Sequence, residues 1–395
     1  MTTQNSNAAA AQAAMNADFM AMTFVQPINA NAQDGTAYSA GGVLNFNAPI
    51  IPGAFAAEIL VNNNLTVTLP SGTSGLLSPS APHSATANII VSYANEMVRV
   101  HPYVNHVANE LSGFNRRNIN TPAQQTADVQ SMIYSAPTLN VGANTWKWTD
   151  RVILNNLHPQ SPLGLLPQDS SGTRLQIQVQ LAPAFAGSDP LQNPVVTLAG
   201  GAISVTGSVT VTVLYRGYES MAAPATMALD LAGLPTLYVI KPDEINPLTA
   251  GSYAFKRLTQ PYSIYRMVHV VIDGQQADKF VSSASNVVGY EMDSAENTSS
   301  AFFKYDSTTG GIQNYYLRNR QLYGRDFDSG VFVQDFTSQN TADSSLREGQ
   351  AYLNLTGSGY PAGRFGFQVN TVGSVCTPRV VSYVWAINPA PLLIQ

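Results

Sequence analysis

The spacing of apolar residues changes once along the chain, near its N-terminus. Residues 7–22 are rich in Ala and Met and contain no Gly or Pro, which predicts a helix. Met15, Phe19 and Met22 recur at i, i+4 and i+7 and would share one helix face. Phe24 follows just beyond it. We expect this face to contact its own domain, a neighbouring chain or a lipid surface, and a lipid contact would be hydrophobic because the arm has no Lys or Arg.

Beyond the arm, apolar residues recur every second position in short runs separated by Gly, Pro, Asn and Ser, which predicts an all-β protein. The clearest strand is 175–181, where Leu, Ile and Val alternate with three Gln residues. Residues 219–234 break this rhythm. A second set of predicted strands then covers 267–272, 331–336, 352–355, 365–369 and 380–387.

A chain of 395 residues is too long for one hydrophobic core and suits two. We predict an arm at 1–24, a first β domain at 25–222, a connector at 223–238, and a second β domain with a C-terminal tail at 239–395. Each domain contains one stretch of weak periodicity, at 95–144 and at 282–325, which we expect to be a long excursion from the sandwich. Two similar β-sandwiches in tandem are what a diverged, duplicated jelly roll would look like.

The composition is unusual in its low charge. Only 11% of residues are Asp, Glu, Lys or Arg, against about 25% in a typical soluble domain, so much of the exterior is expected to meet other copies. A secreted β protein from an unusual environment is the alternative. The net charge of −5 and the absence of Lys and Arg before Arg99 argue against direct, specific nucleic-acid binding and against a secretory signal. The single cysteine, Cys376, predicts a small buried residue in a reducing compartment.

No arrangement of residues predicts catalysis, a cofactor or a metal. The histidines form no zinc or catalytic spacing, and His101, His106 and Glu110 are the nearest to a cluster. Asp326, Asp328 and Gly330 superficially match a calcium loop, but the pattern departs from the EF-hand and predicts a plain turn. No nucleophile elbow or phosphate-binding loop is present. We therefore expect a protein that is not an enzyme. A glycosidase or polysaccharide lyase is the third alternative, because a β fold can bring together carboxylates from distant strands.

A carbohydrate-binding module or a viral receptor-binding spike is the alternative function, because jelly rolls serve those purposes as well. The candidate glycan platform is the stretch 146–150, which contains Trp146 and Trp148. We interpret it instead as a strand with one of the two Trp side chains buried.

The order of features in the second half carries a family resemblance. Leu248-Thr249 leads to residues 262–266, to the strand 268–272 and to Asp273-Gly274. The stretch 325–332, Arg-Asp-Phe-Asp-Ser-Gly-Val-Phe, then resembles the Asp-Phe, two residues, Gly-Val and an aromatic found in the major capsid proteins of tectiviruses. The end of the first domain, at 211–218 and 229–238, is similar too. The resemblance is strongest over residues 205–340, and the N-terminal arm matches in character.

This resemblance implies a fold of two tandem eight-stranded jelly rolls, a double jelly roll, with a short N-terminal helical arm. It implies a virion protein, made in the host cytoplasm, whose pseudo-hexagonal homotrimers tile an icosahedral shell around an internal membrane. Partners would be other copies of the chain in the capsid lattice, penton and minor capsid proteins, and the lipid membrane. Met15, Phe19, Met22 and Phe24 would then anchor the arm to membrane or neighbour.

Overall fold

The fold is described from a computed structural model. It describes residues 24–51, 54–93, 96–108, 133–154, 166–167, 174–217, 239–258, 263–283, 286–294, 297–306, 310–323, 327–335 and 363–387. Strands dominate these residues in both halves, as the period of two predicts. Among the described residues, no helix is both long enough and apolar enough to cross a membrane.

The N-terminal half contains fourteen described strands, one short α-helix and one 3-10 helix. In chain order they are β1 (Phe24–Asn29), β2 (Asn31–Ala32), β3 (Val43–Asn47), β4 (Ala54–Leu69), β5 (Ser74–Leu77), the 3-10 helix (His83–Ala85), β6 (Thr86–Tyr93), β7 (Glu96–Val100), α1 (Pro102–His106), β8 (Ile133–Ser135), β9 (Gly142–Ile153), β10 (Leu166–Pro167), β11 (Gln176–Leu181), β12 (Ala186–Gly187), β13 (Val195–Ala199) and β14 (Ser204–Gly217).

The C-terminal half contains eight described strands and one longer helix. They are β15 (Val239–Ile245), β16 (Tyr253–Arg257), β17 (Ser263–Ile272), β18 (Val287–Ser294), β19 (Asn297–Tyr305), α2 (Ile312–Tyr323), β20 (Val331–Asp335), β21 (Gly363–Val369) and β22 (Arg379–Ile387).

Each half forms a sandwich of two antiparallel sheets. In the first half, one sheet has the order β1-β14-β4-β9-β8, with β10 beside β4, and the other has the order β2-β3-β11-β6-β7. A small third sheet, β12-β13-β5, lies outside this pair. In the second half, the sheets have the orders β15-β22-β17-β20 and β16-β21-β18-β19.

The two halves share one topology. The eight principal strands of the first half are β1, β3, β4, β6, β7, β9, β11 and β14, and those of the second are β15 to β22. In both halves one sheet joins the first, eighth, third and sixth strands, and the other joins the second, seventh, fourth and fifth. This is the jelly-roll order of two four-stranded sheets. The prediction of two tandem eight-stranded jelly rolls is confirmed.

Side-chain alternation decides which face of each strand is buried. In β11, the apolar residues Ile177, Val179 and Leu181 are buried in the first roll, while the intervening Gln residues face outward. The outward face of the first sheet is polar, and its side chains satisfy one another. Thr149 of β9 donates to Asn62 of β4 at 2.8 Å, and Asn62 donates to Thr212 of β14 at 3.1 Å. Uncharged side chains therefore make up much of this face, beside Lys147 and the ion pair of Arg151 with Glu58.

The two stretches of weak periodicity are not the excursions that we predicted. Residues 95–144 contain β7, α1, β8 and the start of β9, and residues 282–325 contain β18, β19 and α2. Five strands of the sandwich sheets therefore lie wholly or partly in these stretches. β18 and β19 lack a clean alternation because both have register shifts in their pairing, which interrupt the regular exchange of faces.

The domain boundaries stay predictions. β1 begins at Phe24 and β15 begins at Val239, so the described strands start close to the predicted limits of both rolls. Residues 218–238, which contain the whole predicted connector, lie outside the described residues, as do the helix predicted at 7–22 and the strand predicted at 352–355.

Candidate functional site: the interface between the two jelly rolls

The second roll buries both faces of one of its sheets. In β17, Met267 and Val271 belong to the core of the second roll, whereas Val268 and Val270 point the other way and join the core cluster of the first roll. β22 divides in the same manner, and its Trp385 is fully buried on the outward face. An antiparallel sheet commonly has one solvated face. Here that face is apolar because the first roll covers it.

The first roll meets this face through α1, which follows its fifth strand. Tyr103 donates from its hydroxyl to Asp328 of the second roll at 2.7 Å, and its ring lies 5.4 Å from the ring of Phe280. Just beyond α1, the carbonyl oxygen of Ala108 accepts from Arg266 of β17 at 2.7 Å. Burial and the neighbouring Asp328 carboxylate raise the pKa of Tyr103 well above 10, so this hydroxyl keeps its proton. The contact is therefore fixed at both ends of α1.

An ion pair also joins the two rolls. The Arg379 guanidinium, at the start of β22, lies 2.6 Å from the Asp189 carboxylate of the first roll and 3.2 Å from Glu244 of β15. The Arg379 side chain is 6% exposed, and that of Asp189 is 21% exposed. The second oxygen of Asp189's carboxylate accepts from the backbone N–H of Leu191, which orients it. The pair is thus largely withdrawn from solvent and specifies one docking position of the rolls.

Two histidines are buried as neutral side chains. His101 precedes α1, with its ring 6.0 Å from that of Tyr383 across the interface, and burial lowers its pKa to about 4. His269 of β17 lies among Phe365, Phe367 and other aromatic rings, and burial lowers its pKa to about 3. His269 is thus a fully buried side chain packed among aromatic rings.

The strongest chemical arrangement is a buried pair in the first roll. His83 Nδ1 lies 2.6 Å from Asp150, and the His83 ring stacks on His106 at 4.3 Å. Asp150 also accepts from the amide of Asn63 and the indole N–H of Trp148, both at 3.0 Å. Since His83 and Asp150 are each about 2% exposed, these contacts satisfy a buried carboxylate and do not present a base to a substrate. Within the described ranges, no group of three or more His, Cys, Asp or Glu side chains could hold a metal ion.

The stretch 146–150 is less exposed than predicted. It forms part of β9, and both Trp146 and Trp148 are fully buried, whereas we expected only one to be. The sequence contained the signal, because residues two apart on a strand point to the same face. A glycan platform cannot form from buried rings.

The other predicted positions lie apart from this interface or beyond the described residues. Met15, Phe19 and Met22 are outside the described residues, and Phe24 is described only by its backbone, which pairs with Gly217. The predicted turn at 328–331 is confirmed by the bond from the N–H of Val331 to the carbonyl of Asp328, although the Asp328 carboxylate also serves the interface. Cys376 is half-buried against the core, and burial raises the pKa of its thiol to about 11.

Solved structures with this arrangement of strands are viral capsid proteins. The MCP of Sulfolobus Turreted Icosahedral Virus matches 92% of this chain and 96% of its own, with 13% identity and a TM-score of 0.62. VP54 of PBCV-1 matches 92% and 93%, with 10% identity and a TM-score of 0.59. The Faustovirus major capsid protein matches 92% and 90%, with 7% identity and a TM-score of 0.52.

At these identities the likeness shows the fold: this chain has the double jelly-roll fold of viral major capsid proteins. The predicted resemblance to tectivirus coat proteins is thereby confirmed at the level of that wide structural group. No family description matches the sequence, and no curated protein matches it significantly.

Proposed function

We propose that this chain is a viral major capsid protein whose homotrimers form pseudo-hexagonal units of an icosahedral shell around an internal membrane. The observation that carries the proposal is the docking of two rolls with the same strand order through a largely buried interface. Capsid proteins of this fold match the chain along 92% of its length.

A trimer of such chains would present six similar rolls in a ring. The intrachain interface fixes the angle between two successive rolls through apolar packing and the ion pair of Arg379 with Asp189. A rigid unit of this kind can repeat around an axis without adjusting its own shape. The low charge of the chain supports the same conclusion, since neutral polar faces can approach one another without a large desolvation penalty.

Partners in the virion belong to the same proposal. They are other copies of the chain, penton and minor capsid proteins, and the internal membrane, with the arm at 1–24 as the membrane or neighbour contact. Deletion of residues 1–22 should leave soluble trimers intact and reduce the yield of particles, because both described core clusters consist of residues beyond position 24. A normal yield of virions from the deleted chain would contradict this role.

The proposal includes the absence of catalysis. His83 and Asp150 are the nearest to an acid–base pair, and both are enclosed. The alternative of a carbohydrate-binding module or spike depended on Trp146 and Trp148, whose burial removes its main support.

The deciding experiment is the mass of the purified chain in solution, by light scattering coupled to size exclusion, with electron micrographs of the same peak. We expect about three times 42.2 kDa and a hexagonal outline. A stable monomer over a wide range of concentrations would overturn the proposal.

A further inference from the structure

We infer that the exposed face of α2 is the surface by which the second roll docks on the first roll of another copy of this chain. The inference rests on the proposed trimer and assigns the subunit contact to one helix and one sheet face. Two helices occupy the same place in the two rolls, but one is covered and the other has an exposed face.

Both helices connect the fifth strand of a roll to its sixth. α1 follows β7 and precedes β9, and α2 follows β19 and precedes β20. Pro102, Tyr103, Val104 and Asn105 of α1 are all buried between the two rolls: Asn105 donates to the carbonyl of Arg151 in the first roll, and Tyr103 donates to Asp328 in the second. The outer face of α2 is uncovered, and its central Leu317 is 56% exposed.

α2 is nevertheless held firmly on its own roll. Its Tyr315 hydroxyl donates to the carbonyl of Val333 at 3.0 Å and accepts from the N–H of the same residue at 2.6 Å. Arg318 donates to Gln334 at 3.0 Å. These bonds attach α2 to the edge strand β20 and leave Gln313, Leu317 and Gln321 exposed on its other side. The helix is therefore a fixed platform with an apolar centre and a polar rim.

A cavity of about 490 Å³ opens beside this platform. Tyr316, Leu317, Arg320 and Phe327 contribute to its wall. Ser329 also lines it, and among the described residues its hydroxyl has no hydrogen-bond partner. The cavity can receive side chains of a neighbour, as the space around Tyr103 of α1 receives Phe280 and Asp328 within one chain.

The intrachain contact identifies the partner surface. α1 lies against the sheet that joins the first, eighth, third and sixth strands of the second roll. In a closed ring of alternating rolls, each second roll must meet the first roll of the next copy by the equivalent, head-to-tail contact. The partner face is therefore the outward face of β1-β14-β4-β9, at the middle of which Asn64 is exposed.

The two contacts differ in chemistry. The covered face within the chain is apolar, with Val268, Val270 and Trp385. The open face of the first roll instead carries polar side chains, mainly Asn and Thr such as Asn62 and Asn64, with Lys147 directly opposite Asn64. The subunit contact would consequently be polar, while the contact between rolls of one chain is dry. A polar subunit contact would give a function to the uncharged, outward-facing side chains in which the sequence is rich.

Cross-linking tests the inference directly. In a Cys376→Ser background, Leu317→Cys is combined with Asn64→Cys, and the purified protein is treated with a short bis-maleimide. We expect covalent dimers and trimers, because each copy contributes one cysteine to each of two contacts. The matched control combines Leu317→Cys with Val43→Cys, since Val43 is 43% exposed on β3, in the other sheet of the first roll. That control should stay at the mass of one chain.

A second measurement uses the dissociation of the trimer on dilution. Leu317→Lys should raise the dissociation midpoint by at least about ten-fold, which corresponds to about 1.4 kcal/mol, because Lys147 pairs with Asn64 on the proposed partner face, whereas Val43→Lys should leave it unchanged. If trimers form but the Leu317/Asn64 pair cross-links no better than its control and Leu317→Lys dissociates normally, this inference is wrong and the proposed function stands. If the unsubstituted chain is a monomer, the proposed function and the inference both fail.

Discussion

The ion pair between the two rolls predicts an asymmetric response to substitution. Asp189→Asn keeps the side-chain oxygen that accepts from the Leu191 N–H, so the local turn survives. It removes the negative charge 2.6 Å from Arg379, whose side chain is only 6% exposed. Arg379→Met removes the other partner and leaves Asp189 21% exposed, where water can solvate it.

The expected loss in the free energy of unfolding depends on which of the two charges remains without its partner. Loss of one partner from a fully buried pair costs about 3–5 kcal/mol. Glu244 remains 3.2 Å from Arg379 and compensates in part, so we expect Asp189→Asn to cost about 2–3 kcal/mol. Arg379→Met should cost about 1 kcal/mol or less, because the remaining carboxylate keeps its backbone hydrogen bond and contact with water. The double variant should therefore be more stable than Asp189→Asn alone.

The assay is urea unfolding at pH 7.5 and a fixed chain concentration, followed by tryptophan fluorescence. Trp385 lies in the interface and should report separation of the rolls. By calorimetry, each kcal/mol corresponds to about 2–4 °C in Tm for a domain of this size. If Asp189→Asn proves no more destabilising than Arg379→Met, the burial of Arg379 does not control this interface and the reasoning is refuted.

Two further predictions concern pH and backbone conformation. Burial lowers the folded pKa values of His269 and His101 to about 3 and 4. Below about pH 6.5, the unfolded chain therefore takes up protons that the folded chain does not. The free energy of unfolding accordingly falls as the pH drops from 6.5 towards 4. Between pH 6.5 and 5, the unfolding free energy of the unsubstituted chain should therefore fall more steeply than that of His269→Phe, by about 1.1 kcal/mol per pH unit on average. Equal slopes would contradict the assignment. Gly207, at φ +141°, leaves no space for a Cβ against the backbone of β4, whereas Gly35, at φ +87°, faces open space. Gly207→Ala should cost about 3 kcal/mol or more in urea unfolding and Gly35→Ala about 1 kcal/mol, and similar costs would show that β4 moves aside.

The alternation of polar and apolar residues was sufficient to predict a strand where one face is exposed to solvent and the other is buried. β11 alternates between Gln and aliphatic residues and was predicted within one residue of its observed limits. β19 and α2 were not predicted, because neither sequence shows such a regular alternation of polar and apolar residues. The helix sequence Ile-Gln-Asn-Tyr-Tyr-Leu-Arg-Asn-Arg-Gln-Leu-Tyr contains Asn and Tyr residues of modest helix propensity, and α2 depends on tertiary bonds such as Tyr315 to Val333.

The sequence by itself determined the all-β class, the presence of two cores and the neutral exterior, because chain length, two-residue alternation and composition are properties of the chain alone. Only the tertiary structure decided the order of strands in each sheet, since pairing joins residues as distant as β1 and β14. It also decided that β17 is buried on both faces and that Arg379 pairs with Asp189. Such contacts depend on the docking of one roll on the other, which a period of two cannot encode.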